Sequence, residues 1–463
     1  MAKIKNVFPT ATDRERMKTL DTYTKLYDNQ QQAVLPLHDI VSKQYQNSSD
    51  LVYLGHAIPA KVSDFYGDFV QGDVDRMTLD YLNDDGDGLK TFEQIVEDND
   101  LMESINDWAT DQSSAGFVVL LGYVQDGKYY VQAVSQDQYY PQSDGTIIFA
   151  TYFRDPDRDE KVTEQDSDLF LYTQLYEVIN DNVQITRQVW TTDIDGTALE
   201  DKGEEAVRNW FGVDPLEIIE NLDTLPIVQI DNGRRTRWGY GKSDYHDIMP
   251  QLGEVNERRT HIATQLLKTL DAKIELPNIE ELKNEDGSLK YFEYIMRDSK
   301  EDPEARYITN ENPLLGDAET HITTQLQMIS YITDVPMWAL LDSSAPERVE
   351  SMKIKLFGAD RKTRRKRAKI KKGVKRLVEI GFKMLGKEMT GDVMLEFSDV
   401  LPQDEKVETE IETEKVRGGL SSKRSAMKRL ENYDEENLDA EEEQMKKETV
   451  ASGAVDPNDA PTL

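Results

Sequence analysis

The sequence predicts an α+β fold, and three observations predict it. Polar and amphipathic helical patterns occupy the first part of the chain. A meander of short strands follows, and two long helical patterns then flank a small strand-and-turn insert. Runs of helix followed by runs of strand, without alternating βαβ units, are the signature of α+β.

From Asp13 to Leu35 the pattern is helical and very polar. A better helix begins near Ile58-Pro59, with Val62, Phe65, Tyr66, Phe69 and Val70 on one face. Asn83-Asp84-Asp85-Gly86-Asp87-Gly88 resembles a calcium loop, but its first ligand is Asn and its twelfth position is Gln94 rather than a bidentate Glu. A solvated turn before a helix around Phe92 is the plainer reading. Gly116 to Val124 is the most apolar strand; Asp126-Gly127 and Lys128 to Val134 complete a β-hairpin with a primed turn. Further strands are predicted at Thr146 to Phe153, Leu169 to Ile179 and Val183 to Thr191, with charged surface loops at 155–168 and 193–208.

The organising stretch runs from Leu225 to Phe357. An apolar strand, Leu225 to Ile230, leads through the bend Trp238-Gly239-Tyr240-Gly241-Lys242-Ser243 to a helix from Pro250 to Leu270. Ser243 suits an N-cap for a leading turn, and Pro250 kinks or restarts the helix. Leu252, Val255, Ile262, Leu266 and Leu270 form a narrow apolar stripe, enough for one partner helix. Ile322, Leu326, Ile329 and Ile332 repeat it on a helix from Asp317 to Ile332. Between them, Lys273 to Leu276, Leu289 to Met296 and Ala305 to Thr309 are three short strands around Asn284-Glu285-Asp286-Gly287. So small a unit needs neighbouring copies or a partner to bury its faces. An ordinary helical hairpin inside a globular domain fits the periodicity equally.

Val335-Pro336 ends the second helix, and Met337 to Pro346 reads as a loop. The helix after it holds eleven Lys and Arg between Arg361 and Arg376 with no acidic residue, and a stripe of Ile370, Val374, Leu377, Val378 and Phe382. Such a block contacts phosphates or pairs with anionic neighbours, and in an acidic chain the ion-pair reading weighs more. Met394 to Phe397 is a strand. From Pro402 the chain is acidic and helix-forming, broken at Gly418-Gly419-Leu420-Ser421, and its last dozen residues have a disordered composition.

With 463 residues there is room for two or three domains, yet 38% hydrophobic residues and a net charge of -34 suit a large assembly, a halotolerant surface or an acidic tail better than a compact monomer. Without cysteine, disulfides, thiol nucleophiles and thiolate metal sites are excluded. The start of the chain lacks a signal-peptide apolar run and no stretch is long enough to cross a bilayer, so the expectation is a soluble protein made in a reducing cytoplasm. The five histidines show no paired metal spacing. Gly241-Lys242-Ser243 lacks the leading glycine of a phosphate loop, since that position is Thr236. The expectation is no enzyme, no metal and no cofactor.

Taken in order, several pieces resemble the portal proteins of tailed bacteriophages, of the long-tailed type. They are the helix Ile58 to Val70, the strand Leu225-Pro226-Ile227-Val228, Gly241-Lys242-Ser243-Asp244 before Leu252, Val255 and Asn256, and the stop Thr333-Asp334-Val335-Pro336. The others are Glu396-Phe397-Ser398-Asp399-Val400-Leu401-Pro402-Gln403-Asp404 and the restart Gly418-Gly419-Leu420-Ser421-Ser422. The loop after Pro336 departs by lacking a Ser-Gly dipeptide, which leaves its boundaries open.

The resemblance implies a cyclic homo-oligomer, commonly of twelve subunits, around a tunnel for double-stranded DNA. Residues 1–238 and 337–401 would make the wing, the latter opening with a tunnel loop. Residues 239–271 and 316–336 would be the two stem helices, 272–315 the clip, 402–450 the crown and 451–463 a disordered tail. DNA-channel candidates are Lys268, Trp338, Asp342, Ser343, Ser344, Arg361, Arg364 and Arg365. Clip candidates for docking the motor and neck are Lys273, Glu275, Glu285, Asp286, Lys290 and Glu293. Implied partners are the terminase large subunit, major capsid and scaffold proteins and a head-tail adaptor, in a virion assembled in bacterial cytoplasm, with no membrane. An acidic lumen would repel phosphates while a few cationic rings centre the duplex. A scaffold or minor virion protein without a channel is the alternative, and a metal nuclease using Asp84 to Asp87 is a third.

Overall fold

The computed structural model describes residues 8–37, 53–72, 77–82, 86–154, 169–193, 196–234, 240–270, 273–275, 306–308, 315–341, 349–398, 405–420, 422 and 424–426. In chain order the elements are α1 (Ala11–Tyr27), α2 (Ile58–Gln71), β1 (Thr78–Leu82), α3 (Asp87–Asp98) and α4 (Ser104–Ser114). The strands β2 (Phe117–Gln125), β3 (Lys128–Val134), β4 (Tyr139–Pro141), β5 (Ile147–Arg154), β6 (Leu169–Ile179), β7 (Asn182–Thr192) and β8 (Ala198–Asp201) follow. Then come α5 (Glu204–Phe211), β9 (Leu216–Ile219), β10 (Ile227–Asp231), β11 (Gly233–Arg234), β12 (Gly241–Lys242) and α6 (Met249–Leu270). The chain continues through β13 (Lys273–Glu275), β14 (Arg306–Ile308), α7 (Leu315–Thr333), α8 (Met337–Leu341), α9 (Val349–Met384), β15 (Asp392–Glu396) and α10 (Glu405–Arg417). Two compact units divide it: Met1–Tyr66, Trp108–Leu121 and Gln132–Leu341 in the first, Gly67–Asp107, Gly122–Val131 and Asp342–Leu463 in the second.

In the first unit, the Thr10 and Asp13 side chains cap each other's backbone at the start of α1. The helix stops at Tyr27 rather than reaching Leu35, because Asn29 takes a left-handed turn (φ 58°) and Gln31 to Ala33 form a short 3-10 turn. The antiparallel meander runs β4-β5-β6-β7-β8, with β9 also on β7. Strands β6 and β7 join through Asn180 and Asp181, both at positive φ, the geometry of a primed hairpin turn. Alternation sets the two faces: Leu171 and Leu175 pack with Tyr140, Ile148 and Phe8, whereas Tyr172 and Val189 pack with Val207. The expected loop 193–208 is instead β8 followed by the start of α5. Ala206, Val207 and Trp210 recur at helical spacing, and Trp210 meets Phe153 and Phe170 edge-on at 5.7 and 5.1 Å.

In the second unit, Asp126 and Gly127 (φ 52° and 76°) make the expected primed turn. Tyr129 next to it is buried, its ring against Gly122 and Gly381, where a Cβ would collide. The Asn99 amide ties this hairpin to α3, donating to Ile95 and Tyr129 and accepting from the Val131 N–H at 2.6 Å. Strand β1, unread in the sequence, pairs antiparallel with β15. Tyr81 on β1 stacks between Phe92 and Phe382 at 5.4 and 5.8 Å. All five residues of the predicted stripe on α9, Ile370, Val374, Leu377, Val378 and Phe382, are buried. Asn83, Asp84 and Asp85 lie outside the described residues.

Candidate functional site: a helix pair and a basic helix

Two features concentrate the unusual chemistry: the α6–α7 pair in the first unit and α9 in the second. At the root of the pair, Gly116 and Gly241 cross so closely that a Cβ on either would strike the other's backbone neighbourhood. Glycine in Gly241-Lys242-Ser243 therefore serves a chain crossing rather than a phosphate cradle. Ser243 is buried; its Oγ donates to the Ser114 carbonyl and accepts from the Tyr245 N–H at 3.0 Å, the expected capping role. Asp244 accepts from Ser113 Oγ at 2.6 Å and from the Asn232 amide at 3.0 Å. The Tyr245 hydroxyl meets Ser63 Oγ at 2.6 Å, and burial pushes its pKa up.

Helix α6 begins at Met249, with Pro250 in its first turn, where the missing N–H costs nothing. Leu252 and Val255 are buried as the stripe requires, but Ile262 is half-buried and Leu266 is 50% exposed. The face covered instead carries Asn256, Thr260 and Thr264, all buried and four residues apart. The Asn256 amide donates to Gln31 Oε1 at 2.6 Å and accepts from the His56 N–H at 3.4 Å; Thr260 Oγ1 accepts from the Leu54 N–H at 3.0 Å. Irregular backbone packed on the helix needs partners for its N–H groups, which is why polar residues occupy a core face. Burial, reinforced by the nearby Arg259, lowers the pKa of His56, whose Nε2 is enclosed with no partner among the described residues.

Ile322, Leu326 and Ile329 of α7 are buried, while Met328 and Tyr331 point out. A polar link joins the helices: Glu254 Oε1 accepts from Arg258 Nε at 2.8 Å and lies 3.1 Å from His321 Nε2. Burial works to raise the Glu254 pKa, but Arg258 and then His321 outweigh it and hold the carboxyl below its ordinary value. Beyond the helices, β13 pairs antiparallel with β14, Lys273 opposite Ile308 and Glu275 opposite Arg306. Two of the three expected strands of the insert are thus present and paired. Leu289 to Met296, with Glu285, Asp286, Lys290 and Glu293, lies outside the described residues. Lys268 lies on α6.

The expected loop after Pro336 opens as the short helix α8, because the Pro336 carbonyl accepts from the N–H groups of Ala339 and Leu340. Trp338 sits in it half-buried, its indole N–H enclosed with no partner among the described residues. Asp342, Ser343 and Ser344 fall outside the described residues.

The structure sorts eight of the eleven cations of the basic block of α9 into three groups. Lys366 and Arg367 are buried. Arg364 and Lys375 form ion pairs with Asp360 (2.8 Å) and Asp392 (2.5 Å), as the ion-pair reading expects. Arg361, Arg365, Lys372 and Arg376 are exposed and have no carboxylate partner among the described residues. At 3.6 residues per turn these four fall within about 60° of one another, along about 22 Å of helix. The sequence could have shown this line by its spacing; nothing in it marked Arg367 as a core residue.

Among solved structures, the chain is similar to one described as the virion of a native gene transfer agent particle (TM-score 0.44, 10% identity, covering 86% of this chain and 94% of that one). It is also similar to the neck of an empty gene transfer agent particle computed with C6 symmetry (TM-score 0.46, 9% identity, the same 86% and 94%). No curated protein matches it. Residues 10–452 match the family described as phage portal protein, SPP1 Gp6-like, and the chain therefore belongs to that portal protein family.

Proposed function

We propose that copies of this chain close into a ring, of twelve subunits, whose axial channel passes double-stranded DNA into and out of a capsid at one vertex. In this reading the terminase motor and later the neck and tail dock on the same ring. The wing comprises residues 1–238 and 337–401, the stem 239–271 and 316–336, the clip 272–315 and the crown 402–450. The observation that carries it is the α6–α7 pair, which leaves the large apolar side chains of Leu266, Met328 and Tyr331 exposed. Heterologous contacts between identical neighbours cover such surfaces, and they give a closed ring where the rotation between neighbours closes.

Lys268 and residues 342–344 would line the channel, while the half-buried indole of Trp338 would brace the base of the tunnel loop. Arg361 and Arg365 belong to the exposed cationic line that offers DNA a sequence-independent contact, and Arg364 flanks it. Lys273, Glu275, Glu285, Asp286, Lys290 and Glu293 would face the motor and neck. The test is imaging and mass measurement of the purified full chain. Rings with a central hole are expected; a single species at the 53.1 kDa monomer mass at micromolar concentration overturns the reading.

A further inference from the structure

The first unit carries a groove and a knob on opposite sides of one helix. The groove, about 350 Å³, lies along α6 and α7 and is lined by Leu54, Arg259, Ile262, Leu266, Glu319 and Ile322 among others. Leu54 and Leu266 are 40% and 50% exposed in it. The knob is Tyr331, 81% exposed, with Met328 one turn before it at 46%. Nine helical positions separate Ile322 from Tyr331, a rotation of about 180°, so the knob projects from the side of α7 away from the groove's apolar floor at Ile322.

Charge matches as well as shape. Arg259 at the groove has no carboxylate partner among the described residues. Asp334, three residues beyond Tyr331, is exposed in a left-handed turn at the end of α7. Glu319 on the other rim offers an acceptor to a phenol hydroxyl. An exposed tyrosine flanked by methionine and an acid fits an apolar slot with a cation at its edge.

We infer that the groove between α6 and α7 receives Tyr331 and Met328 of a second copy of this chain, with Asp334 of that copy facing Arg259. This rests on the ring reading and names the surface that would build it. Because groove and knob lie on opposite sides of α7, a two-fold dimer cannot satisfy both. Each copy gives its knob to one neighbour and its groove to the other, a head-to-tail contact that propagates until it closes.

The chain has no cysteine, so introduced thiols report without background. The full chain carrying both Ile262→Cys and Tyr331→Cys, mildly oxidised and run without reductant, is expected to give a ladder of covalent multimers. Either single variant should remain monomeric on the same gel, and a mixture of the two should give only covalent dimers. In parallel, Arg259→Asp or Asp334→Arg alone should weaken self-association about tenfold or more, and the pair together should restore most of it. Circular dichroism confirms that each variant folds. Rings that form without the cross-link, or a cross-link from Tyr331→Cys alone, overturn the assigned contact and leave the ring standing. A wild-type chain that never self-associates overturns both.

Discussion

The guanidinium of Arg367 donates to the carbonyl of Ser398 at 2.7 Å and to that of Val70 at 2.8 Å, so one side chain closes the end of α2 and the exit of β15 together. Its plane also lies over the Phe397 ring, 4.7 Å from the centroid. The last carbonyls of a helix carry partial negative charge and lack intrahelical partners, and a buried cation satisfies both needs. Arg367→Met is expected to cost about 2–4 kcal/mol, by stranding carbonyls where water cannot reach. Arg367→Lys should recover only part, since an ammonium cannot span the same acceptors in one plane. Denaturant unfolding of both variants checks the order.

Asn256 ties the segment around Gln31 and His56 to α6 by hydrogen bonds. Asn256→Leu conserves volume but leaves the Gln31 carbonyl oxygen and the His56 N–H without their partner. A loss of about 1–3 kcal/mol is expected, with faster proteolytic cleavage near residue 54. An unchanged denaturation midpoint would show the polar face to be dispensable.

The Glu254 link between α6 and α7 gives a pH dependence of definite sign. Its carboxyl is held below the ordinary 4.5, so its contribution is complete above that pH and fades as acid carries the solution through the lowered value. Glu254→Gln should therefore melt earlier than wild type at neutral pH, and the difference should shrink below about pH 4. A gap that persists unchanged at pH 3 contradicts the assignment.

Reversing Arg361 and Arg365 to Glu should leave the melting temperature nearly unchanged, because both are exposed and without carboxylate partners among the described residues. If the cationic line meets phosphates, duplex affinity falls, and the slope of log affinity against log salt drops by about 2. The same reversal at Arg367 should unfold the second unit instead.

Gly241→Ala places a methyl group against the Gly116 carbonyl and the Asn232 N–H. We expect poor folding or a shift of the α6 root, read as a lost thermal transition or a broadened one. Lys242→Ala should be mild, since it removes only a surface pair with Asp247.

The sequence shows most clearly what depends on period. The stripe Ile370 to Phe382 and the strand Leu169 to Ile179 could be read residue by residue, because burial on one face leaves a fixed spacing. The turns at Asp126-Gly127 and Asn29 show the other side: Gly127 announces itself, whereas Asn29 does not look different from other polar residues. On α6 the apolar spacing pointed to Ile262 and Leu266, and the covered face proved to be Asn256, Thr260 and Thr264. Asn256 and Thr260 take backbone partners, the His56 and Leu54 N–H groups, 200 and 206 positions away in sequence, which no local pattern encodes. Strand β1 was missed for the same reason, as its strand partner, β15, is in the last quarter of the chain.

The chain enters and leaves each compact unit more than once, within α2, α4, β2 and β3. Neither unit is one continuous stretch, so no single cut of the gene yields either intact. On the ribosome, the carbonyls at the end of α2 emerge nearly 300 residues before the arginine that will hold them. The early pieces of the second unit must wait, half-made, for almost the whole polypeptide, and a product stalled between Leu341 and Arg367 would hold the whole first unit and an unfinished second one.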